Sequence, residues 1–176
     1  MKIPFVGQAY SGRSININNQ RCVNLYPEID SAEGKNVIAL HGTPGLELFV
    51  YLGALPMRGM RVMGDFMYVV QSGKFYSVNS AGVKTERGTL ETTTGRVSMD
   101  HNGTQIMIVD GTNGYIYTPG TTTFAKITDP DFQAADQVTF IDGYFVSNVK
   151  DTGTFMLTAL YDGSTIDALD IATAEA

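Results

Sequence analysis

From residue 60 to residue 159 the chain alternates short apolar runs with pairs of turn-forming residues. A first group of runs lies at 60–63, 66–70, 74–78 and 83–87, separated by Gly64-Asp65, Ser72-Gly73 and Ala81-Gly82. A second lies at 96–99, 105–109, 115–118 and 124–128. Asn102-Gly103, Asp110-Gly111, Asn113-Gly114 and Pro119-Gly120 punctuate it. A third lies at 137–141, 144–149 and 154–159, broken by Asp142-Gly143 and Thr152-Gly153. Runs this short, bounded by Gly, Asn and Asp, predict antiparallel strands, because those residues tolerate the positive φ of tight connections. Residues 46–52 read as a further, lone apolar strand ahead of the first group.

The groups repeat. Phe75, Tyr115 and Phe155 follow one another at intervals of 40 residues, each in the third strand of its group. A period of about 40 residues with four short strands per unit is the signature of a β-propeller blade. The expected fold is therefore all-β: a partial β-propeller over residues 46–176, with an extended N-terminal arm over residues 1–45. Each blade buries a face against the next, so the three aromatics are expected to occupy matching, largely buried positions. Two groups carry four strands and the third only three. Because propellers close with at least about four blades, the chain reads as the N-terminal part of a longer protein. The lone strand at 46–52 would complete a blade begun at the other end. Open blade faces and strand edges would then invite association.

Residues 1–45 differ from the repeats in being rich in Asn, Gly, Ser and Pro. Ser14-Ile15-Asn16-Ile17-Asn18 alternates with period two, as does Arg21-Cys22-Val23-Asn24-Leu25-Tyr26-Pro27-Glu28, where Pro27 should end the strand. Gly42-Thr43-Pro44-Gly45 signals a turn, and His41 reads as part of it. An arm with so few core candidates must lie along something else to repay its ordering entropy. Ile15, Ile17, Val23 and Leu25 are its candidate assembly contacts.

Composition narrows the function. Charged residues make up 17% and hydrophobic residues 43% of the 176, a globular balance. The net charge of −6 and the lack of any basic run argue against sequence-specific nucleic-acid binding. No apolar run is long enough to span a bilayer, and Met1-Lys2-Ile3-Pro4 does not open a signal peptide. The single cysteine, Cys22, has no partner for an internal disulfide and reads as a small hydrophobe.

No arrangement of residues carries chemistry. Asp162, Ser164, Asp167 and Asp170 lack the spacing of a calcium loop and read as a solvated loop. Asp129-Pro130-Asp131 reads as a turn, and Asp110 as a turn residue that binds backbone N–H groups. Ser98 and His101 have no orienting carboxylate placed by any motif, and none of the familiar catalytic motifs is present. No catalytic residue, metal or cofactor is expected.

Arg21-Cys22-Val23-Asn24-Leu25-Tyr26-Pro27-Glu28, Gly42-Thr43-Pro44-Gly45-Leu46, Gly95-Arg96-Val97-Ser98-Met99 and the stretch from Asp162 to Asp170 stand together in order. With them the chain resembles the packaged-DNA stabilisation proteins of short-tailed bacteriophages, also described as tail hub or plug proteins. The resemblance covers nearly the whole chain. It departs from the family in having no Trp, with Ile166 where the C-terminal Asp-Gly motif often carries one. The resemblance implies a virion protein, assembled in the host cytoplasm. Its expected place is a homo-oligomeric ring, typically hexameric, beneath the portal and adaptor. There it would help close the channel, retain packaged DNA and hold the tail needle or tailspikes. It brings no catalytic residues. The competing readings are a carbohydrate- or protein-binding propeller of adhesin or lectin type, and, third, an enzyme on a propeller scaffold.

Overall fold

A computed structural model describes residues 24–29 and 38–174. Two compact units are present, Met1–Leu48 and Phe49–Ala176. In the first, β1 (Leu25–Ile29) and β2 (Ile38–Gly42) form an antiparallel ribbon with Leu25 opposite Gly42. Two expectations are corrected here. Pro27 does not end the strand but pairs opposite Leu40, and His41 is a strand residue opposite Tyr26. A two-stranded ribbon leaves a free side on each strand, which accommodates a residue without an N–H.

The second unit holds three four-stranded antiparallel sheets, each a simple meander. Sheet 1 comprises β3 (Met57–Met63), β4 (Phe66–Gln71), β5 (Lys74–Asn79) and β6 (Lys84–Thr89). Sheet 2 comprises β7 (Ser98–His101), β8 (Ile106–Val109), β9 (Gly114–Thr118) and β10 (Thr123–Lys126). Sheet 3 comprises β11 (Val138–Ile141), β12 (Tyr144–Asn148), β13 (Thr154–Ala159) and β14 (Asp162–Thr173). Among the described residues there is no helix. The turns form where the sequence predicts. Asp142 and Gly143 both take positive φ, 50° and 90°, the backbone of a two-residue hairpin turn whose twist suits the strands.

Among the first strands, β7 neighbours both β3 and β11, and β6 neighbours β10 at the opposite edges. The sheets thus stack face to face in a propeller-like arrangement. Between sheets 1 and 2 lie Tyr68, Val70 and Phe75 against Ile106, Ile108, Tyr115 and Tyr117. Between sheets 2 and 3 lie Met107, Val109 and Ile116 against Phe145, Met156 and Ile166. Sheet 2 is covered on both faces, which explains why Ile106-Met107-Ile108-Val109 is an unbroken apolar run, fully buried. In β12 burial alternates residue by residue, because sheet 3 packs on sheet 2 through one face only.

Three expectations about the repeats change. The segment 46–52 is not a strand. Instead Val50 and Leu52 lie on the free face of sheet 1 with Met67, Val69 and Val78. Apolar surface there repays coverage more than an edge repays pairing. Residues 162–170 are not a loop but most of β14, which gives the third group its fourth strand. Register shifts near Thr158 disturb the alternation that would mark β14 as a strand. The 40-residue aromatic spacing does not mark one structural position. Phe75 stands opposite Val70 and faces sheet 2, whereas Tyr115 stands opposite Ile108 and faces sheet 1. The two meet in the same core, with Phe124 between them, tilted against Phe75 at 5.5 Å and stacked on Tyr115 at 5.3 Å. Phe155 leaves β13 on the face opposite buried Met156 and is only half-buried. The loop between β8 and β9 has a different length from the two-residue β4–β5 turn, so counting residues changes which face an aromatic takes.

Candidate functional site

Ile15, Ile17 and Val23 lie outside the described residues. Leu25 is on β1 and 41% exposed. Around it the ribbon presents Tyr26 and Leu40, both also exposed. Tyr26 stacks on His41 at 5.5 Å, and His41 Nε2 lies 3.0 Å from the Glu28 carboxylate. These cross-strand pairs hold the ribbon's form and leave its apolar side chains to solvent.

The polar groups of the second unit converge along the first strands. Asp100 on β7 is buried, and its carboxylate joins three sheets. Oδ1 pairs with the Arg61 guanidinium of β3 at 2.6 Å and accepts the His101 N–H at 2.8 Å. Oδ2 accepts the Phe140 N–H of β11 at 2.8 Å and the Thr139 hydroxyl at 3.3 Å. Arg61, Asp100 and Thr139 pair across their sheets with Tyr68, Met107 and Val146, so they take matching places in successive sheets.

Arg58, also buried on β3, spreads its guanidinium over the connection from sheet 1 to sheet 2. Nε donates to the Gly95 carbonyl, Nη1 to those of Ser72 and Thr92, and Nη2 to the Thr94 carbonyl and Thr92 Oγ1, all within 2.6–2.8 Å. Thr92 in turn donates to Asp110 Oδ2 at 2.5 Å. Burial lowers the Arg58 pKa from its ordinary value, and Asp110 opposes that shift. Asp110 Oδ1 accepts the Thr112 and Asn113 N–H groups, as its turn position predicts. Sequence reading missed Arg58, Arg61 and Asp100. Their only signal is charge inside otherwise apolar strands, and alternation accounts for that as a solvent face.

The residues weighed for chemistry are engaged in structure. Ser98 Oγ accepts the Val138 N–H at 3.2 Å, and His101, three residues on, projects from the other face of β7. Asp129 Oδ1 closes its own turn on the Asp131 N–H, and its Oδ2 accepts the Ile166 N–H of β14. Asp162 Oδ1 accepts Ser164 N–H and hydroxyl, and Oδ2 the Thr165 hydroxyl. Among the described residues no group of three His, Cys, Asp or Glu side chains could hold a metal ion. No helix there is long and apolar enough to cross a membrane. What the geometry offers is rigid inter-sheet packing and exposed apolar surface.

A family model described as bacteriophage P22 Gp10, beta-propeller, matches residues 1–176. Comparison with curated proteins finds no match. Among solved structures the chain is similar to the computationally designed Ika8 protein, at 14% identity and a TM-score of 0.55. That likeness covers 87% of this chain and 47% of Ika8. It is also similar to the designed Ika4 protein, at 15% identity and a TM-score of 0.54, over 70% of this chain and 79% of that one. The N-terminal domain of Nup159 follows at 10% identity and a TM-score of 0.49. There 67% of this chain covers 31% of the domain, so the chain spans less than half of both Nup159's domain and Ika8. The designed proteins show a shared fold and nothing of function.

Proposed function

Because the chain belongs to the bacteriophage P22 Gp10 β-propeller family of phage stabilisation proteins, we propose that it serves as a structural subunit of the virion tail. In this reading it takes a place in a ring beneath the portal and adaptor, and helps keep packaged DNA inside the head. The family match along residues 1–176 is the observation that carries it. The engaged polar groups support a mechanical role. Asp100, Arg58 and Asp110 use their charges to join sheets and connections, which stiffens the unit. The exposed Leu25, Tyr26 and Leu40 support assembly through the N-terminal unit, with Ile15, Ile17 and Val23 proposed as further contacts. Family and side-chain use alike favour a non-enzymatic protein.

The test is loss of function in the encoding phage. Particles made without this chain should package DNA and then release it, so that their genomes become nuclease-sensitive. Deleting residues 1–45 from the full protein should leave the sheets folded and keep the protein out of tails. Particles that lack the chain yet hold their genomes through purification would contradict the proposal.

A further inference from the structure

The turn between β13 and β14 is built from residues that tight turns disfavour. It consists of Leu160 and Tyr161, where a hairpin prefers Asn, Asp and Gly. Tyr161 takes φ 56°, a left-handed backbone that a bulky side chain rarely adopts. Leu160 and Tyr161 are nonetheless 58% and 61% exposed, so little burial offsets the strain. The surrounding turns hold the pair in place. The Tyr161 N–H donates to the Gly143 carbonyl at 2.7 Å, and Asn102 Nδ2 donates to the Tyr161 carbonyl at 3.1 Å. Leu160 packs so closely on Gly143 that a Cβ there would fall 2.7 Å from its Cδ1. The result is a rigid apolar tip at the end of sheet 3. In the matching turn of sheet 2, Gly120, Thr121 and Thr122 are exposed although sheet 2 has a sheet against each face. A further neighbour on sheet 3 would therefore leave the tip open as well.

Charge identifies the partner. The tip lies beside two carboxylates, Asp142 next to Gly143 and Asp162 next to Tyr161. Asp142 is exposed and forms no ion pair among the described residues. Hydrogen bonds from the Ser164 and Thr165 hydroxyls favour the ionised form of Asp162. From residue 97 onward the only Lys or Arg residues are Lys126 and Lys150. Lys126 pairs with Glu91, and Lys150 lies near Gly111 in the β8–β9 turn, at the other end of the sheets. We propose that Leu160 and Tyr161 anchor a docking surface for a different protein, whose contacting segment sets an apolar side chain beside Lys or Arg. Tyrosine is a common anchor of such contacts. A second copy docked tip to tip would bring Asp142 and Asp162 against their equivalents, a like-charge contact. Elsewhere on a second copy, Arg61, Lys74 and Lys126 are already paired. This surface does not depend on the place of the protein in a tail.

Two measurements on the full protein test it. Tyr161→Asn should leave the urea midpoint unchanged or raise it, because Asn accepts the left-handed backbone. A lowered midpoint would mean that the tip serves the fold, and overturns the proposal. In cells infected by the encoding phage, photoreactive benzoylphenylalanine in place of Tyr161 should cross-link to a second protein. Peptide mass spectrometry should place the link in a segment with an aliphatic or aromatic side chain next to Lys or Arg. Asp142→Lys should cut the yield of that product on the order of tenfold, because it turns attraction at the rim into repulsion. The proposal is overturned by the absence of a cross-link, by a link to another copy of this chain, or by a link to a segment without Lys or Arg. It is equally overturned by a yield that Asp142→Lys leaves unchanged.

Discussion

Arg58 shows how one side chain fixes the relation between two sheets. Its donors reach carbonyls of Ser72, Thr92, Thr94 and Gly95, and removing them leaves those acceptors unpaired. Arg58→Ala should cost about 3 kcal/mol, the scale for breaking a buried charged partnership. Arg58→Lys should recover only part of it, because a single ammonium cannot reproduce the fork. Urea midpoints check both, and a loss under about 0.5 kcal/mol for Arg58→Ala would contradict this role. The neighbouring Gly59 lies so close to sheet 2 that a Cβ would fall 2.4 Å from the Val97 carbonyl oxygen. Gly59→Ala should therefore destabilise by about 1–3 kcal/mol through overpacking, measured in the same way. Such residues are illegible in the sequence. Met57-Arg58-Gly59-Met60-Arg61 places two arginines in one strand, and only the fold makes one buried and the other half-exposed.

At the scale of elements, turns were the most legible feature. Asn, Asp and Gly pairs marked the hairpins because the backbone conformation itself selects them. Strands failed to show where something other than alternation set burial. β14 is bulged and carries Asp162, Asp167 and Asp170, and 46–52 is apolar because it covers a sheet, not because it pairs. The aromatic repeat gave the blade period but not the facing. Phe75→Ala should cost about 3–5 kcal/mol, whereas Phe155→Ala should cost less than half as much, because only Phe75 is fully buried. Equal losses in thermal or urea unfolding would return both to one structural position.

Asp162, at the start of β14, adds a pH dependence. Burial raises its pKa, but hydrogen bonds from Ser164, Thr165 and Gln105 outweigh that and leave it below the ordinary value. The unfolded chain then binds the proton more readily than the folded one. Stability is present above about pH 4 and is lost as pH falls through the lowered native pKa. Unfolding followed from about pH 6 to about pH 3 should show a shallower decline in Asp162→Asn than in the unaltered chain. Parallel declines would remove Asp162 from the account.

For the whole molecule, the sequence conveyed the all-β class, the blade period and the family, because repeated turns and ordered motifs survive without knowledge of packing. It did not convey the polar junction of Arg61, Asp100 and Thr139. Those residues lie 39 apart in sequence and differ in chemistry, so no repeat search joins them. The central claim is that this rigid stack of sheets is a structural part of a phage particle. Quantitative mass spectrometry of purified particles of the encoding phage tests it most directly. The account predicts the chain in every preparation, at a fixed whole-number ratio to the portal protein. Its absence from purified particles, while abundant in the infected lysate, would contradict it.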